Sequence, residues 1–486
     1  MTFVIKSKSI RFSRAGTIVL VCAGGCSPDA QNSLYPRIEA LFDIAEPRIL
    51  AVVKRIEDEH GASATAFYPV ETGVMSPDIG RWSLRPVEDW RSGFFPGVLW
   101  ELEGHSGNAR LHDAAIAWTE GLAILQDNPI DHDLGFRFVS SFGVGFALQD
   151  ESHSVWRDHA QDVMAHAALA LDQLFDVGNV PVGALRAFPL ANDYLAPYPV
   201  YIDSMMNIEL LFFAWNQAGR PTSGPLGRFY DHAVKHAQTV LDEHLRADGS
   251  TYHIVQYAET GPMAGFVYKK ISDQGFAAES TWSRGQAWAI HGFTTTHHYT
   301  KDTDAILATR FLDEAKRAAD YFINHLPHYD LKDPYNHVVG DFVPPTDFDA
   351  ALGEPAGPWN DANGDDVLGD RRAGTHAFTP RDTSAAAVAA AGLLKLGAIV
   401  EDSALRDRYL GAAEDILECL LTFRDADGAL AYLALEHSGE AILARGATAF
   451  GSPQRSLVYG DRYFLEAARL CLELPRRSGE VRRCGK

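Results

Sequence analysis

Residues 382–398 read DTSAAAVAAAGLLKLGA. Asp-Thr-Ser is a helix-start signature, because a short oxygen-bearing side chain can accept the orphan N–H groups of the first turn. The run behind it is apolar on every face instead of on one stripe, and its alanines let other helices approach closely. Such a helix belongs inside a ring of helices. Outward from it, helical apolar spacing recurs at roughly 35–58, 92–104, 108–126, 134–149, 151–176, 203–218, 225–246, 281–299, 302–326, 402–423 and 455–473. With 382–398 these stretches number about twelve and fall into pairs, most of them joined by short polar turns such as Gly104-His105-Ser106-Gly107. They predict an all-α fold, an (α/α)6 toroid of six helical hairpins with the most apolar helices innermost. An open helical solenoid is the alternative, and the absence of a fixed sequence period speaks against it.

The chain has 486 residues and a formal net charge of −21, which argues against a nucleic-acid partner, since a phosphate binder needs a basic face. An anionic sugar is compatible with that balance if cations are placed locally. The five cysteines form no CxxC pair and no zinc-spaced set; a disulfide framework is not expected, and Cys419 and Cys471 read as small core residues. At the N-terminus, Lys6, Lys8, Arg11 and Arg14 precede a short apolar run, Ala15 to Ala23, and then Gly24-Gly25-Cys26. Residues 1–26 therefore read as a signal peptide of lipoprotein type, with a lipid anchor at Cys26 and a periplasmic or outer-membrane location; a plain signal peptide, or a misassigned start on a cytoplasmic enzyme, are the alternatives. Residues 27–486 read as a single catalytic domain carrying an acidic loop insert near 350–378. Within that insert, 361–372 begins like a calcium loop, but Asp366 stands where Gly is required and Arg372 where Glu is required, so a solvated acidic loop is the expectation.

Three long connections end in an Asp at a helix start: Asp133, Asp203 and Asp382. Each alone is most simply an N-cap. In a toroid, however, the inner helices start at one mouth, so the three would converge on one cavity, and convergent carboxylates among aromatics suit a sugar site. Trp90 and Phe94 offer a stacking wall. Arg284 and Trp288, four apart on one helix face, could fork a carboxylate and cover a ring, or else form an internal ion pair and ordinary core. His132 and His253 taken singly are more often structural than catalytic.

The series WRSGFFPG (90–97), HDLGFRF (132–138), YIDSMMNIELLFFA (201–214), STWSRGQAWAIHGF (280–293), DFDA (347–350), PRDTSAAAVAAAGLLKL (380–396) and SLVYGDRYFLEA (456–467) resembles the unsaturated glucuronyl hydrolases, glycoside hydrolase family 88, in the same order throughout. The resemblance implies an (α/α)6 barrel and, without metal or other cofactor, hydration of the C4=C5 double bond of a terminal unsaturated glucuronic acid on lyase-derived anionic oligosaccharides. It implies that Asp203 protonates C4 and then deprotonates the attacking water, and that Asp133 binds the sugar and raises the proton affinity of Asp203. It further implies that His132, His253, Gln274, Arg284, Trp288, Trp90 and Phe94 line the pocket. Phe188 stands where the family often has Trp, and Thr346 where an aromatic is usual, which leaves the neighbouring sugar open. The alternatives are an unsaturated rhamnogalacturonyl hydrolase, a conventional inverting glycosidase using Asp133 and Asp203 as separate acid and base, and a non-catalytic glycan-binding lipoprotein.

Overall fold

The computed structural model describes residues 33–189, 197–327, 342–350, 380–424, 429–434, 439–474 and 483–484. The signal segment with Cys26, and the acidic insert with its 361–372 run, lie outside the described residues. Each of the twelve expected helical stretches is present within a few residues of its expected bounds. Six are inner: Phe94–Ser106, a composite 134–148, a composite 204–217, Ser283–Thr300, Thr383–Ile399 and Val458–Glu473. Each inner helix packs on the next, and Val458–Glu473 returns to Phe94–Ser106, so the ring closes. The outer helices are Tyr35–His60, Ala109–Glu120, Ser154–Asp172, Gly224–Glu243, Ala305–His325 and Ser403–Thr422. Amphipathic spacing explains the outer ring: in Ala305–His325, Phe311, Ala315, Ala318, Ala319 and Phe322 share the buried stripe. The predominantly apolar Thr383–Ile399 sits inside, its residues from 383 to 394 buried without a break.

Close approach is set by small residues. A Cβ on Gly135 would lie 2.2 Å from the Cα of Asn207, so glycine is what lets the 134–148 and 204–217 helices touch at their starts. The mouth is finished by connections that the helical pattern did not foresee as strands. Pro199–Tyr201, Ile254–Tyr257 and Val267–Ile271 form an antiparallel sheet in which Tyr201 pairs with Ile254 and Ile254 with Ile271. That register brings the residues just outside the pairing, Asp203, His253 and Asp273, to one sheet end.

One expectation needs correction. Cys471 is not a free core thiol: it is bridged to Cys484, with the two Cα atoms 4.8 Å apart. The bridge fixes a segment whose Arg483 pairs with Glu414, Asp415 and Glu418 and whose carbonyl accepts Leu34 N at 3.0 Å. The segment thus ties both ends of the described chain to the outer helix Ser403–Thr422. The thirteen-residue separation gave no geometric clue in the sequence, because spacing alone does not tell whether two Cβ atoms can meet.

Candidate active site

The three helix-start aspartates part company in the structure. Asp382 caps its helix, accepting from Ser384 N and Ala385 N, and it also takes a 2.7 Å bond from Arg284. Asp133 and Asp203 occupy the corresponding positions but make no side-chain cap bond. For Asp133 the reason is local: Asn207 Oδ1 accepts Phe136 N at 2.6 Å, doing the capping from the neighbouring helix, while Asn207 Nδ2 lies 3.4 Å from Asp133 Oδ1. Asp131, two residues earlier, is a structural acid. It receives two bonds from the fully buried Arg137, at 2.6 and 3.0 Å, and accepts Asp133 N at 2.9 Å.

Asp203 is 8 % exposed, and its buried Oδ1 has no hydrogen-bond partner. A carboxylate so placed loses hydration without compensation, so its proton is held more tightly. Burial accordingly pushes the carboxyl up to about 7, the negative charges of Asp133 and Asp273 adding to the rise while His132 and Arg284 oppose it. Asp133 is likewise raised well above the usual carboxylate range, by burial and by the charge of Asp131, against the pull of Arg137 and the Asn207 bond. His132 joins the pair: its Nδ1 meets Ser204 Oγ at 2.7 Å and its Nε2 faces Asp133 Oδ1 at 3.6 Å. Burial pulls His132 and His253 below the ordinary imidazole value. The site is therefore a set of carboxyls among neutral imidazoles.

Tyr201 lies edge-on to both His253 and Phe188, and Phe188 lies edge-on to His132; Phe188 is half-buried at this rim. Trp90, also half-buried, presents a face backed by Phe94, Phe136 and Tyr459. Phe94 and Trp288 are themselves 0 % and 1 % exposed and form the wall behind that face; the stacking role expected of Trp288 passes to ordinary core packing against Phe136 and Tyr463.

Of the two readings expected for Arg284, the structure shows the internal ion pair. The guanidinium does not present a fork to solvent. It is 1 % exposed and donates to Asp382, Ser384 Oγ, Ala447 O, Thr448 O and Gln274 Oε1, at 2.6 to 3.2 Å. A buried cation needs that many internal acceptors, and they hold its fork inward. The consequence falls on Gln274: with Oε1 held by Arg284, its amide N–H2 is the end left to meet a ligand. Asp347 and Asp349 of the DFDA stretch are structural too, accepting Phe276 N, Ser280 Oγ and Thr281 N and so shaping the loop that carries Gln274.

Sequence reasoning missed Asp273, Ser272 and Tyr201 as neighbours of Asp203. Asp273 Oδ1 is 3.2 Å from His253 Nδ1 and Tyr201 Oη is 3.4 Å from Asp273 Oδ2. Its only sequence signal was adjacency to Gln274; the sheet register that delivers it is a long-range feature.

No protein-family model matches the chain. An unsaturated glucuronyl hydrolase of Formosa agariphila is 30% identical over 387 residues, 79% of this chain and 80% of the relative. An unsaturated glucuronyl hydrolase of a Bacillus species, strain GL1, is 26% identical over 402 residues, 81% of this chain and 89% of the relative. An unsaturated chondroitin disaccharide hydrolase of Streptococcus agalactiae is 26% identical over 390 residues, 78% and 80% of the two chains. Among solved structures, an unsaturated glucuronyl hydrolase specific for heparin superposes with a TM-score of 0.66 at 27% identity, covering 88% of this chain and 96% of the other. The Bacillus GL1 enzyme superposes at 0.65 and 24% identity with the same coverage, which speaks for the fold.

Proposed function

Because the chain belongs to the unsaturated glucuronyl hydrolase family, we propose that it hydrates the C4=C5 double bond of a terminal unsaturated glucuronic acid, with Asp203 as both acid and base. The observation that carries this reading is the buried, unpartnered Asp203 carboxyl, pushed up to about 7 beside a second raised carboxyl. Protonating carbon demands an acid that is still protonated at the working pH and held within reach. Asp203 delivers its proton to C4, and the positive charge spreads over C5 and the ring oxygen. Water then adds to C5 while its proton passes to the Asp203 carboxylate. The hemiketal opens, the bond to the neighbouring sugar breaks, and the acid is restored.

Asp133 supports this by staying close, its charge favouring the protonated form of Asp203, and by accepting from the sugar's hydroxyls. His132 and Phe188 border the same face, Trp90 offers the stacking surface, and Gln274 directs its amide N–H2 at the sugar's carboxylate. Arg284 acts through Gln274. The relatives' names differ in the polymer they mention, chondroitin or heparin, while an unsaturated substrate is common to them. Specificity for the neighbouring sugar is accordingly assigned to the rim around Phe188.

The test is turnover of an unsaturated disaccharide followed by loss of the ultraviolet absorbance of its conjugated carboxylate. Asp203→Asn should lower turnover about 1000-fold or more while keeping substrate affinity. Activity retained in that variant, or activity on saturated glycosides with none on the unsaturated one, defeats the reading; the latter is what an inverting glycosidase would show.

We also propose export and lipid anchoring at Cys26. The basic and apolar N-terminal pattern supports it, as does the Cys471–Cys484 bridge, since disulfides persist in oxidising compartments. Cys26→Ala should move the protein from the membrane fraction to the soluble one; an unchanged distribution removes the anchor.

A further inference from the structure

Asp203 Oδ1 and His253 Nε2 are buried without hydrogen-bond partners and lie 3.9 Å apart; Asp273 Oδ1, on the other side of the ring, is also buried in the site. The first two can both reach a single water at about 2.8 Å, an ordinary hydrogen-bond length. What that water can do depends on which imidazole nitrogen carries the proton. If Nε2 bears a hydrogen, it donates to the water and occupies one of its lone pairs. If Nε2 bears a lone pair, the water donates one hydrogen to Nε2 and one to Asp203, leaving its own lone pairs for C5.

The other side of the ring decides between these. His253 Nδ1 lies 3.1 Å from Ser272 Oγ and 3.2 Å from Asp273 Oδ1. Ser272 can donate or accept, so it leaves the tautomer undecided. An ionised carboxylate only accepts: it repels a lone pair on Nδ1 and attracts an N–H. We infer that Asp273 is a positioning residue for the hydration step, its carboxylate holding His253 as the neutral Nδ1–H tautomer so that Nε2 orients the attacking water. The inference rests on Asp203 being the acid/base. Burial keeps the ring neutral, as the role requires. Bonds balance: water oxygen joins C5, one water proton goes to the Asp203 carboxylate, the C5 cation accepts the electron pair, and His253 keeps the proton it had.

Two measurements test this independently. In ¹⁵N-histidine NMR of the full chain, with His253 identified by its loss in His253→Gln, the wild type should show Nδ1 protonated and Nε2 bare, and Asp273→Asn, whose amide can donate to Nδ1, should reverse them. In the absorbance assay, Asp273→Asn should lower kcat roughly 100-fold or more with KM little changed, by the same logic as a wrong tautomer in a hydrolytic triad, and Asp273→Glu should recover part of the loss. Protonated Nε2 in the wild type overturns the inference, as does Asp273→Asn turning over within about 3-fold of wild type. Should Asp273→Asn fail to fold, the wild-type tautomer alone decides. If instead the wild type does not act on the alkene, the functional reading fails, while the NMR result still judges the tautomer.

Discussion

The toroid encloses two polar regions, and they solve the burial of charge in opposite ways. Beneath the aromatic floor, a cavity of about 220 Å³ runs along the lumen, lined by Glu101, Glu466, Lys395, Arg462 and Arg469 among others. There Glu101 and Glu466 each have a cation, whereas burial pushes Glu209, on the same lining, up. Glu466 is paired with Lys395 at 2.7 Å and with Arg462, and Glu101 with Arg469 at 2.8 Å. Burial alone would push Glu466 upward, but the charges of Arg462 and Lys395 outweigh it and hold the carboxyl well below its usual range. At the mouth, burial, helped by the charges of Asp133 and Asp273, outweighs the opposing pull of His132 and Arg284. The nearby guanidinium groups of Arg284 and Arg137 are bound to Asp382 and Asp131, so Asp203 rises to about 7. The same desolvation thus gives a permanent anion in one place and a proton donor in the other, and the placement of cations decides which.

The largest break in this contrast should come from the lumen. Glu466→Gln leaves the buried Arg462 and the half-buried Lys395 without their acid and should cost about 3–5 kcal/mol of stability, read by denaturant unfolding. A loss under about 1 kcal/mol would mean that the lumen charges are solvated. Arg284→Ala should come next, at about 3 kcal/mol, because Asp382 and two carbonyls lose their donor. Its thermal midpoint should fall further, in energy, than its KM rises; the reverse would return Arg284 to direct substrate binding.

At the mouth the sign inverts. Asp203→Asn should stabilise the protein by roughly 1–3 kcal/mol at pH 8, since a neutral amide replaces a carboxylate that is costly to ionise in place. The folded carboxyl binds its proton more tightly than the unfolded one. Its destabilising effect is therefore absent below about pH 4, grows as pH rises, and is complete above about 7. Glu466 shows the opposite pattern: its contribution is present above the ordinary carboxylate range and is lost as pH falls. A variant Asp203→Asn less stable than wild type at pH 8 would contradict the assignment. The smallest expected effect is kinetic. Wild-type turnover should decline as pH rises through about 7, and Asp133→Asn, by removing a like charge, should move that limb down by up to about one unit on top of any loss of rate. An unmoved limb would separate the two carboxyls electrostatically.

The helical ring was readable because its signal is local: inner helices such as 383–399 are apolar all round, and outer ones carry one stripe. The site was readable in part. Asp133 and Asp203 could be nominated from their positions, yet nothing local distinguished them from Asp382, since all three precede helices. The distinction came from Asn207, which caps across a helix interface, and from Arg284, which reaches Asp382 98 residues away. Trp288 and Arg284 satisfied the spacing for a shared face, but spacing does not say whether that face meets solvent or core.

By itself the sequence determined the number, order and apolar character of the helices, and which acids begin them, because these depend on residues within a turn or two of one another. Only the tertiary structure decided which acids are capped, paired or left bare, how the sheet delivers His253 and Asp273 to Asp203, and that Cys471 meets Cys484. Those outcomes depend on burial and on partners far along the chain, and a proton's affinity for a carboxyl is set by its surroundings in space.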